Sequence, residues 1–273
     1  MPEGPEIRIA ADSIARVLQG QLVQKVFLQP PLLRSFKHKL QGATVTAVDT
    51  CGKAMLTRFD NALTLYSHNQ LYGKWYVCRA GSLPRTNRNL RVALHTAAGS
   101  ALLYSATDIA VLNSAQLAVH PFLCRLGPDI LDARLSAQIL ADRLDEKRFR
   151  SRSLAALYLD QTFVAGIGNY LRSEILHFAG LSHMRRPLDL TVSERQRLAR
   201  QTLAVARRSY RTRGITSTPT RIRARSAAGD TCRSENRFTV FARDGEACDV
   251  CGAMVQRAQA SSRRIYFCPH CQR

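Results

Sequence analysis

The sequence predicts an α+β fold: an N-terminal helix, an antiparallel β-sandwich or barrel, a helical second half, and a cysteine-bound β-hairpin at the end. Three observations carry that prediction. Apolar residues recur with period two between about Leu22 and Ser105, the period changes to 3.6 after His120-Pro121, and four late cysteines stand as two C-x2-C pairs.

The first element opens MPEGPE and continues IRIAADSIARVLQG. Ile7, Ala10, Ala11, Ile14, Val17 and Leu18 fall on one face of a helix, and Gly20 stands where that helix would stop. Pro and Glu are ordinary company for a first helical turn, because a missing N–H costs nothing there and negative charge meets the positive end of the dipole. Six short segments follow: ATVTAVDT, KAMLTRF, ALTLYS, KWYVCRA, NLRVALHTA and SALLYS. They are rich in β-branched and aromatic residues and are separated by turn signals such as CGK, DNA and AGS. Strands at that spacing predict the sandwich or barrel.

Beyond a linker near Pro121 to Asp132 the pattern is helical. LSAQILADRLDEKRF, SLAALYLDQTF and NYLRSEILHFAG, the last ending in Gly180, precede TVSERQRLARQTLAVARRSY, whose Ser193 and Gln196 have capping-box spacing. VAGIGN lies between the second and third of these. The segment Arg211 to Arg237 carries seven Arg, little apolar content and no period, and reads as a mobile surface loop. The expected partition is therefore residues 1–125, 126–236 and 237–273.

Charge indicates the class of partner. The 273 residues carry a formal charge of +20, with 34 Arg and 6 Lys. From Arg195 to Arg273 there are 17 Arg against 5 acidic residues. Such a surface concentrates polyanions, and the planar guanidinium suits phosphate, so nucleic acid is expected ahead of a merely soluble surface. No run of eighteen apolar residues and no secretory signal pattern occurs, so the chain reads as cytosolic with no membrane partner.

CDVCGAMVQRAQASSRRIYFCPHC places Cys248, Cys251, Cys268 and Cys271 as C-x2-C, sixteen residues, C-x2-C. Two knuckles at that separation supply four thiolates to one tetrahedral zinc, with a β-hairpin between them. Four protein ligands leave no open position, so the expectation is one structural Zn2+ and no catalytic metal. A disulfide pair is disfavoured in a reducing cytosol, and a thioredoxin-like site would need only one C-x2-C at a helix start. Cys51, Cys78, Cys124 and Cys232 lack metal spacing and read as ordinary small residues. GIGN, Gly166 to Asn169, ends at a helix N-terminus whose N–H groups and dipole would suit a phosphate, although such a turn is most often only a turn.

MPEGPE, CGKA, YSHNQLYG, DQTFVAGIGNYLRSEIL and the four-cysteine unit, in that order over essentially the whole chain, resemble the formamidopyrimidine-DNA glycosylase and endonuclease VIII family of base-excision repair enzymes. HNQLYG is most similar to the endonuclease VIII branch, which favours oxidised pyrimidines. The resemblance implies an N-terminal β-sandwich, a helix-two-turn-helix module containing GIGN, and a zinc finger. It implies double-stranded DNA containing oxidised bases or abasic sites, bound in a cleft by an enzyme expected to be monomeric.

The resemblance also assigns roles. Loss of an initiator Met would leave Pro2 with a secondary amine of pKa roughly 7.7 to 8.0, nucleophilic at cellular pH. Glu3 would protonate the opening sugar and shuttle protons, and Glu6 would be a second supporting carboxylate. Lys53, after the Gly52 turn, resembles a lysine that contacts DNA at the lesion, although a lysine at a hairpin is more often just exposed. Asn169 and Arg263 match residues that grip the flanking phosphates. Gln70, Leu71 and Tyr72 resemble the triplet that fills the gap left by a flipped nucleotide, although the residues alone read better as two half-buried strand positions with a polar neighbour. The basic segment 211–237 departs from the compact endonuclease VIII pattern. It leaves open a preference for oxidised purines, and charge plus finger alone would also fit a non-catalytic zinc-ribbon binder.

Overall fold

The computed structural model describes residues 2–227, 229, 236–260 and 262–273, so Met1, Cys232 and part of the basic segment lie outside it. The chain forms two compact units: Pro2 with Glu6–Arg125, and Glu3–Pro5 with Leu126–Arg273.

In the first unit helix α1 (Gly4–Leu18) is followed by strand β1 (Lys25–Leu28), a 3-10 turn at Pro31–Phe36 and the single helical turn α2 (Lys37–Leu40). Then come β2 (Val45–Cys51), β3 (Ala54–Phe59), β4 (Thr64–His68), β5 (Lys74–Cys78), β6 (Leu90–His95), β7 (Ser100–Tyr104) and β8 (Asp108–Leu112), with α3 (Ser114–Ala118) behind them. The strands make two antiparallel four-stranded sheets, in the orders β1-β6-β7-β5 and β2-β3-β4-β8. The predicted six strands are all present, and β1 and β8 were missed. Both missed strands lie at sheet edges; β1 has only four residues, and β8 runs DIAVL, four consecutive apolar residues after the aspartate, with no alternation to read.

One core joins both sheets to α1. Ile7, Ala11, Ile14 and Leu18 from the helix pack with Val26, Val48, Met55, Val92 and Leu103 from the strands. Each aliphatic side chain so enclosed stabilises the unit by about 1.5–3 kcal/mol. Gly20, at φ 74°, ends the helix as its position predicts.

The second unit is helical. α4 (Ala137–Asp145), the single turn α5 (Leu154–Leu157), α6 (Asn169–Ala179), α7 (Val192–Arg211) and α8 (Pro219–Ala227) precede the hairpin of β9 (Gln256–Ala260) and β10 (Arg263–Phe267). SLAALYLDQTF, expected as a full helix, gives only the turn α5, because Asp160 and Gln161 bond the following backbone and the chain turns towards GIGN. The helix α7 is capped by Thr191 and Glu194 and not by Ser193 and Gln196, since Glu194 also takes the Arg185 guanidinium and so fixes the earlier start. Residues 211–227 are not a featureless loop. They contain α8, whose Arg225 donates to the Asp249 carboxylate and to the Phe238 carbonyl. Among the described residues no helix is long and apolar enough to cross a membrane.

Candidate functional site

In the second unit the central helix α6 has nine of its eleven residues buried, and three of those, Arg172, Glu174 and His177, are ionisable. A helix buried all round is ordinarily apolar, so each of these groups requires partners.

Its N-terminus is occupied by Glu3. The Glu3 side chain is 3% exposed. Its Oε2 accepts the N–H of Gly168 at 2.7 Å and of Leu171 at 3.2 Å, and its Oε1 accepts the N–H of Tyr170 at 2.8 Å. The first-turn amides of a helix carry partial positive charge, and a carboxylate is the natural group to satisfy them. GIGN thus already holds an anion, and that anion is Glu3 and not a phosphate on the same amides.

Glycine is needed where it stands. A Cβ on Gly168 would lie 2.4 Å from Cδ of Glu3, and Gly166 takes φ 98° while its carbonyl accepts the Gly4 N–H at 2.8 Å. Gln161 braces the turn from behind, accepting from the Gly166 N–H and donating to the Ile167 carbonyl. Pro2, half-buried, precedes Glu3 directly.

Asn169, the first residue of α6, accepts a 2.7 Å bond from Nη2 of Arg172. The same guanidinium donates to the carbonyls of Ala155 and Arg264 at 2.9 and 3.0 Å, so it ties Asn169 to the hairpin that presents Arg263. Arg263 and Arg264 are exposed near the hairpin tip. Burial, with Arg263 adding to it and Glu3 opposing, lowers the Arg172 pKa to about 10, still charged at neutral pH. Arg172 was missed from the sequence, since an arginine among helical residues reads as solvent-facing.

In the first unit Gly52 and Lys53 form the tight turn between β2 and β3. Burial lowers the His68 imidazole pKa, with Asp108 opposing and the nearby Lys53 adding to it. His68 Nδ1 accepts the Gln70 N–H at 3.2 Å, and Thr107 donates to Gln70 Oε1 at 2.8 Å. Gln70 sits at φ 49°, and Gly73 is required because a Cβ there would meet the Asn69 carbonyl at 2.6 Å. Leu71 and Tyr72 are 61% and 71% exposed at the crest of this turn. They are not half-buried strand residues. Glu6 lies in the first turn of α1.

The four cysteine sulfurs Cys248, Cys251, Cys268 and Cys271 all lie within 4.8 Å of one another. The Cys248–Cys271 and Cys251–Cys268 separations of 3.9 and 3.4 Å bracket the spacing of about 3.8 Å that 2.3 Å zinc–sulfur bonds impose on a tetrahedron. The donor set therefore fits one structural zinc, with no position left for water.

Known proteins agree with this anatomy. The profile of the formamidopyrimidine-DNA glycosylase N-terminal domain matches residues 1–108, that of its H2TH domain residues 126–220, and that of the zinc finger found in FPG and IleRS residues 245–273. The chain is 47% identical to Endonuclease 8 of Salmonella arizonae and 46% identical to Endonuclease 8 of Salmonella enteritidis, over 100% of every chain. Its fold matches Lactococcus lactis formamidopyrimidine-DNA glycosylase non-covalently bound to DNA containing an AP site, at TM-score 0.80, 20% identity and 99% coverage of both chains. It matches MutM in complex with DNA containing carbocyclic 8-oxo-G at TM-score 0.80, 21% identity and 100% coverage of both. Three domain matches in order and near-half identity along the entire length leave one conclusion: the chain belongs to the formamidopyrimidine-DNA glycosylase and endonuclease VIII family of base-excision repair DNA glycosylases.

Proposed function

We propose that this chain is a bifunctional DNA glycosylase and abasic-site lyase that removes oxidised pyrimidines from duplex DNA through Pro2. The observation that carries the reading is the anchoring of Glu3 by three amides, one residue from that proline. A carboxylate fixed in this way needs no reorganisation to serve an adjacent amine.

Once Met1 is removed, the Pro2 nitrogen attacks C1′ of the damaged nucleotide and the base departs with the electrons of the glycosidic bond. Glu3 takes up the proton that the nitrogen sheds on attack and passes it to the ring oxygen as the sugar opens. The resulting iminium is cationic because the nitrogen began with two carbon substituents, and it acts as an electron sink. Loss of a C2′ proton then expels the 3′ phosphate by β-elimination, and a further proton loss expels the 5′ phosphate by δ-elimination. Lys53 and Glu6 assist around the amine. Asn169, oriented by Arg172, and Arg263 grip the backbone, while Gln70, Leu71 and Tyr72 fill the vacated stack. The exposure of Leu71 and Tyr72 supports that last role, since among the described residues nothing covers these two large side chains on the turn.

Identity supports the pyrimidine branch. It is 46–47% to proteins named Endonuclease 8 and 20–23% to the formamidopyrimidine-DNA glycosylase structures. A zinc ribbon that only binds nucleic acid would leave the match over residues 1–108 without a cause. Borohydride reduction on a thymine-glycol duplex should trap a covalent adduct at Pro2, at a higher rate than on an 8-oxoguanine duplex. Absence of the adduct, or undiminished nicking by Pro2→Gly, rejects the mechanism, and the reverse order of rates rejects the lesion class.

A further inference from the structure

The second unit holds a basic cavity of about 840 Å3 that the proposed reaction does not use. Its floor is one face of α7, bearing Arg200, Arg207, Arg208 and Arg211. The N-terminus of α4, at Ser136 and Ala137, and the start of α8, at Pro219 and Ile222, form its walls. It is distinct from the Glu3 site. Ser209 and Thr202 of α7 bond Tyr170 and Tyr158 on one side of the helix, whereas Arg200, Arg207 and Arg211 lie about half a helical turn away from them.

Two observations mark it as an anion site. Three arginines of this region pair with carboxylates, Arg185 with Glu194, Arg195 with Asp145 and Arg225 with Asp249, whereas in the cavity Arg207 and Arg208 donate to the neutral carbonyls of Leu135 and Thr216. Among the described residues no carboxylate lies within ion-pair distance of Arg200, Arg207, Arg208 or Arg211, and none lines the cavity. Arginines one helical turn apart repel one another, so the cluster stands against a cost that a bound anion would remove. Independently, Ser217 lines the cavity, is 1% exposed, and its hydroxyl has no hydrogen-bond partner among the described residues. Burial, with Arg221 adding to it and Glu174 opposing, lowers the Arg208 pKa.

Leu135, Leu203, Ala204 and Ile222 add apolar lining between and beside the arginines. The volume lies within the roughly 300–1,000 Å3 of small-molecule sites. A phosphate on the arginines with a flat ring on the apolar side chains satisfies both kinds of lining.

We propose that this cavity binds the phosphate and base of a nucleotide, either as a free mononucleotide or as the phosphorylated end of a DNA strand. The test titrates the zinc-loaded full chain with 2′-deoxyadenosine 5′-monophosphate, and with lesion-free duplexes bearing 5′-phosphate or 5′-hydroxyl ends. Arg200→Ala/Arg211→Ala removes two exposed cavity arginines, Arg207→Ala removes a deeper one, and Arg34→Ala/Arg79→Ala removes equal exposed charge from the other unit. If the source is free nucleotide, the cavity variants weaken mononucleotide binding at least about tenfold and the control does not. If it is a strand end, the mononucleotide fails to bind, and the cavity variants abolish the preference for 5′-phosphate over 5′-hydroxyl ends. Nicking of a lesion duplex stays unchanged in the cavity variants, which separates this site from the Pro2 reaction. Equal behaviour of cavity and control variants towards both ligands overturns the proposal.

Discussion

Glu3 and Glu174 make an instructive pair. Both are buried carboxylates of the second unit and both accept three backbone N–H bonds. Glu174, in the middle of α6, takes the amides of Thr239, Val240 and Phe241 and also the Thr216 hydroxyl at 2.6 Å. Thr216 in turn donates its N–H to the Arg237 carbonyl, so Glu174 closes the base of the excursion between them. Glu3 instead reaches α6 from a short stub behind Pro2. The bonding is alike and the setting differs: Glu174 joins two pieces of chain, while Glu3 stands one residue from Pro2, the proposed nucleophile. Burial with full hydrogen bonding is therefore no mark of catalysis.

Substitution by the neutral isostere should separate the two most sharply. Glu3→Gln is expected to slow base removal about 10²–10⁴-fold, the range of a lost general acid–base, in single-turnover assays on a thymine-glycol duplex. A loss under tenfold would reduce Glu3 to a cap. Glu174→Gln cannot accept all four donors as a carboxylate does, and it should cost about 1–3 kcal/mol in urea unfolding, with near-normal activity in the folded fraction. If it instead abolishes turnover without loss of stability, the contrast fails.

Acid should affect the Glu174 side next. His177, one turn beyond Glu174, has its pKa lowered by burial, the nearby carboxylate only partly opposing. Burial lowers His183 likewise. Below the unfolded value of about 6.5 the unfolded chain binds protons that the folded chain does not, so stability is full above that pH and declines as pH falls through it. Thermal unfolding at neutral and mildly acidic pH measures this, and a midpoint that rises on acidification contradicts it. The smallest effect on stability belongs to the exposed turn. Leu71→Ala should leave unfolding within about 0.5 kcal/mol while slowing base removal. A large stability loss would mean that Leu71 is packed and does not serve as a wedge.

How much was legible follows from range. The face of α1, the αL stop at Gly180, the internal strands and the cysteine knuckles all depend on neighbours a few residues apart, and each is present. What was hidden acts over long separations. The Glu3 bonds to α6, the Arg172 bridge from Asn169 to Arg264 and the Arg225–Asp249 contact join residues that no local period relates. The basic segment was misread for the same reason: α8 is held by Asp249 and by packing, while its own composition favours solvent. The cap of α7 failed more mildly, since two overlapping matches to one pattern compete and a distant arginine selects between them.

The reach of Glu3 has a consequence in time. It is translated 165 residues ahead of Gly168, its first partner. At about 5–20 residues per second, the carboxylate waits roughly 8–33 s in water before its helix exists. Seating of Glu3 therefore waits for the second unit, and a nascent chain stalled before Gly168, however well its β half has folded, would leave that carboxylate without its amide partners.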